Sequence, residues 1–147
     1  MKPFEYYIKE KSVRKVSVDI ELAKALKKDL FGRIEKAIKL DKKEYSKIVF
    51  ESMYDSLREF CDVLLALDGY KSYSHEAAIA YLKNYGFDDA EIFTLDRYRF
   101  KRNGSKYYGK EITEEDTLDI DKFYKDRVDK IKSILNEKFA MRWIIWQ

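Results

Sequence analysis

A chain of 147 residues suits one domain, since single cores usually run from about 100 to 200 residues. With 46% hydrophobic and 39% charged residues it has the apolar surface for a packed interior, and its five Gly and one Pro exclude most all-β architectures, whose tight turns consume both. The formal charge of +3, from 30 basic against 27 acidic residues, neither demands nor excludes a nucleic-acid partner.

The first sixteen residues read as an N-terminal arm, a short helix or an extended segment, before the single domain of residues 1–147. Met1 to Glu5 lack the apolar region of a signal peptide, and no apolar run approaches the ~20 residues of a membrane span. Together with a single cysteine, Cys61, which can form neither an internal disulfide nor a multi-thiolate zinc site, this points to the cytoplasm and to no membrane partner.

The spacing of Ile20, Ala23, Leu26, Leu30, Ile34 and Ile38 predicts an amphipathic helix over about 17–40, with Ser17 as N-cap. A second helix is predicted over about 42–67, with Ile48, Phe50, Met53, Tyr54, Leu57, Phe60, Cys61, Leu64 and Leu65 on one broad face and Gly69 as its C-cap. Residues 69–73 read as a loop, and Ser74 caps a short helix carrying Ala77, Ala78, Tyr81 and Leu82 up to Gly86. A further helix starts near Asp88 with Ile92, Phe93 and Leu95 as its apolar contribution, and Gly104 and Gly109 weaken its end. Thr113 to Asp116 has the spacing of a capping box, opening a last helix whose core face holds Leu118, Phe123, Val128, Ile131, Ile134, Leu135, Phe139 and Trp143. Four long helices and one short helix joined by short connections make an all-α, antiparallel up-and-down bundle. The terminal residues 142–147 are apolar all round and are expected to meet another helix or another subunit, which makes a homodimer the expected assembly.

Charge is concentrated. From Arg97 to Lys110 there are six basic residues and no acid, whereas residues 111–147 carry nine acids against seven bases, so the near-neutral total conceals one positive segment. On a continuous helix Arg99, Arg102 and Lys106 share a face, and like charges at that spacing repel unless the side chains fan into solvent or an anion sits among them. Tyr98, Phe100, Tyr107 and Tyr108 interleave with them and can stack on bases, although aromatics at helical spacing read first as core. Elsewhere, Glu44, Glu51, Asp55, Glu59 and Asp62 form a stripe that is solvated or, at Asp55 and Glu59, paired with cations of another helix. There is no Gly-rich phosphate loop, and one histidine, His75, cannot build a metal site, so no metal and no cofactor are expected.

The order of the helices, the stretch from Ala66 to Ala77, and Leu95, Asp96, Arg97 leading to Arg102, Asn103, Gly104, Ser105, Lys106, Tyr107, Tyr108 and Gly109 resemble an archaeal-type HEPN domain over nearly the whole chain. The resemblance implies a helical bundle, usually a homodimer, that binds RNA or nucleotides or cleaves RNA without a metal, often as the toxin partner of a minimal nucleotidyltransferase. Carried over to this sequence, the family signature of an Arg, a polar residue and a later His falls on Arg102, Asn103 and Tyr107. Tyr107 thus stands where the His is expected, and a phenol with a pKa near ~10 makes a poorer base at neutral pH than imidazole near ~6.5. Three readings follow: first, an RNA- or nucleotide-binding homodimer with Arg99, Arg102, Lys106, Tyr108 and Lys110 as its phosphate-binding residues. The second is an endoribonuclease in which Arg102 and Asn103 handle the phosphate and Tyr107 or His75 replaces the base. The third is a protein-interaction module that docks a nucleotidyltransferase or another partner.

Overall fold

The computed structural model describes residues 1–146, with side chains described through Arg142, so the expectations for Trp143 and the terminal apolar segment lie outside the described side chains. The predicted all-α bundle is present. Its helices are α1 (Phe4–Lys9), α2 (Ile20–Ala37), α3 (Ser46–Asp68), α4 (His75–Ala80), α5 (Asp89–Tyr108) and α6 (Glu114–Trp146), with a 3-10 turn over Tyr81–Tyr85. None of these helices is long and apolar enough to cross a membrane.

α3 is the central element and packs against α2, α4, α5 and α6. Thirteen of its 23 residues are buried, among them Phe50, Met53, Tyr54, Phe60 and Leu64, a much wider apolar face than a surface helix carries. α2 contributes Ala23, Leu30 and Ile34, α5 contributes Ile92 and Leu95, and α6 contributes Phe123, Ile131 and Leu135. Four residues assigned to apolar faces lie outside instead: Ile38, Ile48, Phe93 and Leu118 are 41%, 55%, 71% and 47% exposed. The Cys61 thiol is fully buried on α3, where burial pushes its pKa far up.

Boundaries follow local hydrogen bonding. The N-cap of α2 is Asp19, two residues after Ser17, and its side chain accepts from the Leu22 N–H at 2.9 Å. α3 starts later than residue 42 because the Asp41 carboxylate accepts from the Lys43 and Glu44 N–H groups and holds a turn there. At α5 the Asp88–Glu91 capping box is complete, and Thr113 and Asp116 bond reciprocally at the start of α6. Gly104 does not interrupt α5, which runs to Tyr108 before Gly109 closes it in the left-handed conformation.

The expected 69–73 loop is instead half of a two-stranded ribbon. β1 (Val13–Lys15), from the N-terminal arm, pairs antiparallel with β2 (Tyr70–Ser72) in the register Val13 to Ser72, Arg14 to Lys71 and Lys15 to Tyr70. The ribbon hangs on α3: the Val16 N–H donates to the Gly69 carbonyl and the Asp19 N–H to that of Ala66. From Ser72 the hydroxyl donates to the Ser74 carbonyl at 2.6 Å, and Ser74 caps α4 through the Ala77 N–H, which fixes where His75 stands. At the other end of α4, Asp68 accepts from Tyr81 (2.5 Å), Tyr85 and Lys138 (2.6 Å), tying the 3-10 turn and α6 to the end of α3. Burial alone would raise the Asp68 carboxyl, but these donors outweigh it and hold the pKa below the usual range.

Gly69 is required twice over. Its φ is +81°, and a Cβ there would stand 2.9 Å from the Val16 carbonyl oxygen, whereas at Gly86 (φ +79°) a Cβ would meet nothing within 4 Å. Gly86→Ala is therefore expected to cost about 1–2 kcal/mol, the left-handed penalty alone, and Gly69→Ala measurably more in the same urea titration. Equal losses would show that the ribbon gives way at no cost.

Candidate anion site

The face of α3 that is not apolar carries Glu51, Asp55, Arg58 and Asp62, spaced three or four residues apart and all partly buried. α5 lies against this strip and meets it with the very side chains the sequence marks as a cation stack. Arg102 pairs with Asp55 at 3.2 Å, and the Ser105 hydroxyl donates to Glu51 at 3.4 Å. Arg99 reaches Glu76 on α4 at 3.3 Å and Asp96 on its own helix at 2.8 Å, while Arg58 bonds Asp62 at 3.2 Å. Arg99 and Arg102 do not fan into solvent, since their side chains are only 13% and 11% exposed, and they meet carboxylates of their own helix (Asp96) and of neighbouring helices (Glu76 and Asp55), whereas Lys106 is exposed. Asp55 and Glu59 do pair across helices, with Arg102 and Arg33.

His75 and Tyr54 sit at the centre. The Tyr54 hydroxyl and His75 Nδ1 are 2.9 Å apart, the two rings lie nearly parallel at 6.0 Å, and the Arg102 guanidinium lies 6.0 Å from the Tyr54 ring. Tyr54 is fully buried, and its hydroxyl has no other partner among the described residues. Its proton therefore goes to Nδ1, since leaving it unmade would cost about 1–3 kcal/mol. The neutral imidazole then carries its hydrogen on Nε2 and presents a donor. Burial first, and then the charges of Arg58, Arg102, Arg99 and Lys106, push the His75 pKa down to about 4, so the ring is uncharged at neutral pH. Burial likewise drives the Tyr54 hydroxyl well above its ordinary value, against the pull of Arg58, Arg99 and Arg102.

Four cations thus set a positive potential at one uncharged ring despite the carboxylates around them. Two of their nitrogens, Arg58 Nη1 and Arg102 Nε, are buried without a hydrogen-bond partner. An orphaned guanidinium donor is costly, and an oxyanion is the group that satisfies it best. Asp55 is the more exposed member of its pair, 38% against 11% for Arg102. Among the described residues no group of three or more His, Cys, Asp or Glu stands close enough together to hold a metal ion.

The remaining predicted residues divide. Lys106 contributes to the field at His75. Asn103 is partly exposed on α5, and Lys110 folds back so that its side chain packs over Gly104. Tyr107 and Tyr108 are 64% and 79% exposed, and because α5 continues through Gly104, Tyr107 points away from Arg102. The structure therefore brings His75, and not Tyr107, next to Arg102 within the chain. Tyr54 and Arg58 were not identified from the sequence. The available signal was Arg58 itself, a cation in the middle of the acidic stripe of a helix otherwise apolar on most sides, where the other cation of that helix, Lys47, lies at its start.

Compared with family models, with curated proteins and with solved structures, the chain gives no significant match.

Because the folded His75 pKa of about 4 lies below the ~6.5 of an unfolded histidine, the unfolded chain binds the proton first as pH falls. The stability linked to this ring is complete above pH ~6.5 and is lost progressively down to about 4. An NMR titration of the single histidine is expected to show no protonation between pH 6 and 8, and Arg58→Met is expected to raise its pKa. A midpoint near 6.5 that is unmoved by this substitution would mean that the arginines do not act on the ring.

Proposed function

We propose that the protein binds RNA or a nucleotide through a phosphate group held by Arg58, Arg99 and Arg102, with His75 Nε2–H as a neutral fourth donor and Lys106 adding to the positive field. The observation that carries this reading is the pair of unpartnered guanidinium nitrogens, Arg58 Nη1 and Arg102 Nε, on side chains whose charges act on a neutral histidine. The chemistry favours binding over cleavage. A base for RNA cleavage must take the 2′-hydroxyl proton, and a ring whose Nε2 already carries hydrogen does not accept one. Tyr107, exposed and beyond the cluster, does not supply the base within one chain. The HEPN resemblance extends the proposal to a homodimer, to toxin-type pairing with a nucleotidyltransferase and to endoribonuclease activity, each as an alternative that experiment decides.

A second reading, a protein-docking module, draws on a different surface. Phe93, Phe100 and Tyr107 recur every seven residues on α5, are 71%, 71% and 64% exposed, and form an aromatic ridge that no described residue covers.

Fluorescence anisotropy with a labelled single-stranded RNA tests the first reading. Binding is expected to weaken with salt, with a log–log slope of about −0.7 for each phosphate contacted. Arg102→Ala is expected to lower the affinity and flatten that slope by about one contact, with the RNA recovered intact. Cleavage that disappears in His75→Ala would replace binding with catalysis, and salt-independent binding or none would favour the docking module.

A further inference from the structure

A groove of ≈ 520 Å³ opens beside the cluster, bounded by the start of α2, the second half of α3 and the ribbon. Its walls are apolar, with Leu22 and Leu26 from α2, Leu65 and Ala66 from α3, and Tyr70 from β2. That size falls within the ~300–1,000 Å³ of small-molecule sites, which combine apolar walls with a few placed polar groups. The polar residues here are Ser17, Asp19, Arg58, Asp62, Lys71 and Ser72, of which Asp19 caps α2 and the Ser72 hydroxyl is engaged by the Ser74 carbonyl. Arg58 belongs to both places, since it lines the groove and its charge acts on His75. Arg58 is thus the side chain that the groove and the anion site share.

Asp62 completes the polar end. Its Oδ1 accepts from Arg58 Nε at 3.2 Å, while Oδ2 has no partner among the described residues and the side chain is 31% exposed. Burial pushes the Asp62 carboxyl up, and Arg58 offsets only part of that. Such a carboxylate gains from a further N–H donor. From Arg58 to Leu65 α3 advances about 10 Å, room for a flat ring and a sugar beside a phosphate held at Arg58.

We propose that this groove is the base pocket of the phosphate site, and that its ligand is a single guanine nucleotide, either free or within RNA. The base lies between the Leu22–Leu26 wall and the Leu65–Tyr70 wall and donates its N–H edge to Asp62. Guanine fits best because it carries two adjacent N–H donors for a carboxylate and a carbonyl oxygen for Lys71 at the exposed rim. Its phosphate occupies the position between Arg58 and Arg102. The proposal rests on the phosphate reading above.

Calorimetric titration of the full chain with GMP, AMP, guanosine and inorganic phosphate tests it. GMP is expected to bind at least about tenfold more tightly than phosphate or AMP. Leu22→Trp, at the half-exposed lip, is expected to remove that gain while phosphate binding persists, and Lys71→Glu to weaken GMP without unfolding the chain. GMP binding no tighter than phosphate and unchanged in both variants would overturn the groove and leave the anion site standing. AMP binding as tightly as GMP would overturn the guanine assignment. Guanosine binding as tightly as GMP, unaffected by Arg102→Ala, would overturn the phosphate reading on which the proposal rests, and no binding of either GMP or phosphate would overturn both. A uridine-rich RNA with one guanosine that outcompetes GMP, and fails to once that guanosine is replaced by uridine, would identify RNA as the source. The opposite order would identify the free nucleotide.

Discussion

A helix that is buried on nearly every side cannot leave its few polar residues unmatched, and α3 imposes this condition on the whole bundle. Its apolar surface gathers α2, α5 and α6, while its remaining strip of Glu51, Asp55, Arg58 and Asp62 has to be answered by whatever packs beside it. α5 answers with Arg102 and Ser105, and α2 answers the neighbouring Glu59 with Arg33. Removing Asp55 with no other anion in its place would leave the Arg102 guanidinium, only 11% exposed, without that compensation, a larger penalty than losing a surface ion pair. The charge of α5 is thus a packing requirement before it is a functional feature.

The match is incomplete in a particular way. Carboxylates satisfy the outer parts of the arginines, yet Arg58 Nη1 and Arg102 Nε remain unpartnered, and both arginines act on the same uncharged histidine. A structure optimised only for stability would close such gaps. With Asp121 Oδ1, these are the buried side-chain polar atoms without a hydrogen-bond partner among the described residues. The ribbon contributes by position alone: Ser72 and Ser74 set the start of α4, α4 sets His75, and Tyr54 on α3 fixes which nitrogen of that ring carries hydrogen.

Much of the fold was legible because it depends on spacing and caps. Apolar residues three or four apart locate α2, α3 and α6, and the capping box at Thr113–Asp116 and the glycine at 69 mark ends that the structure retains. The ribbon was not legible, since three-residue strands carry almost no periodicity and Val13–Lys15 finds its partner almost sixty residues away. Phe93 was assigned to the core from its hydrophobicity alone, and which flank of α5 faces α3 decided otherwise. At the site, the basic segment was visible as a run of charge and Arg102 stood out within it. The surroundings of Arg102 were not visible, because Asp55, Tyr54, Arg58 and His75 lie 27 to 48 positions before it in the chain.

By itself, the sequence determined that this is a helical protein with one long helix of broad apolar face, one concentrated basic segment and too few His and Cys residues for a zinc-type site. Those properties follow from composition and from a period of about 3.6 residues, which act along the chain. Only the tertiary structure decided that Arg99 and Arg102 would be largely buried and paired, that the single histidine would stand within reach of the Arg102 charge as a neutral donor, and that a groove would open beside Arg58. Burial and pairing depend on which helices meet and in what rotation, and desolvation, the largest influence on His75, exists only once they have met.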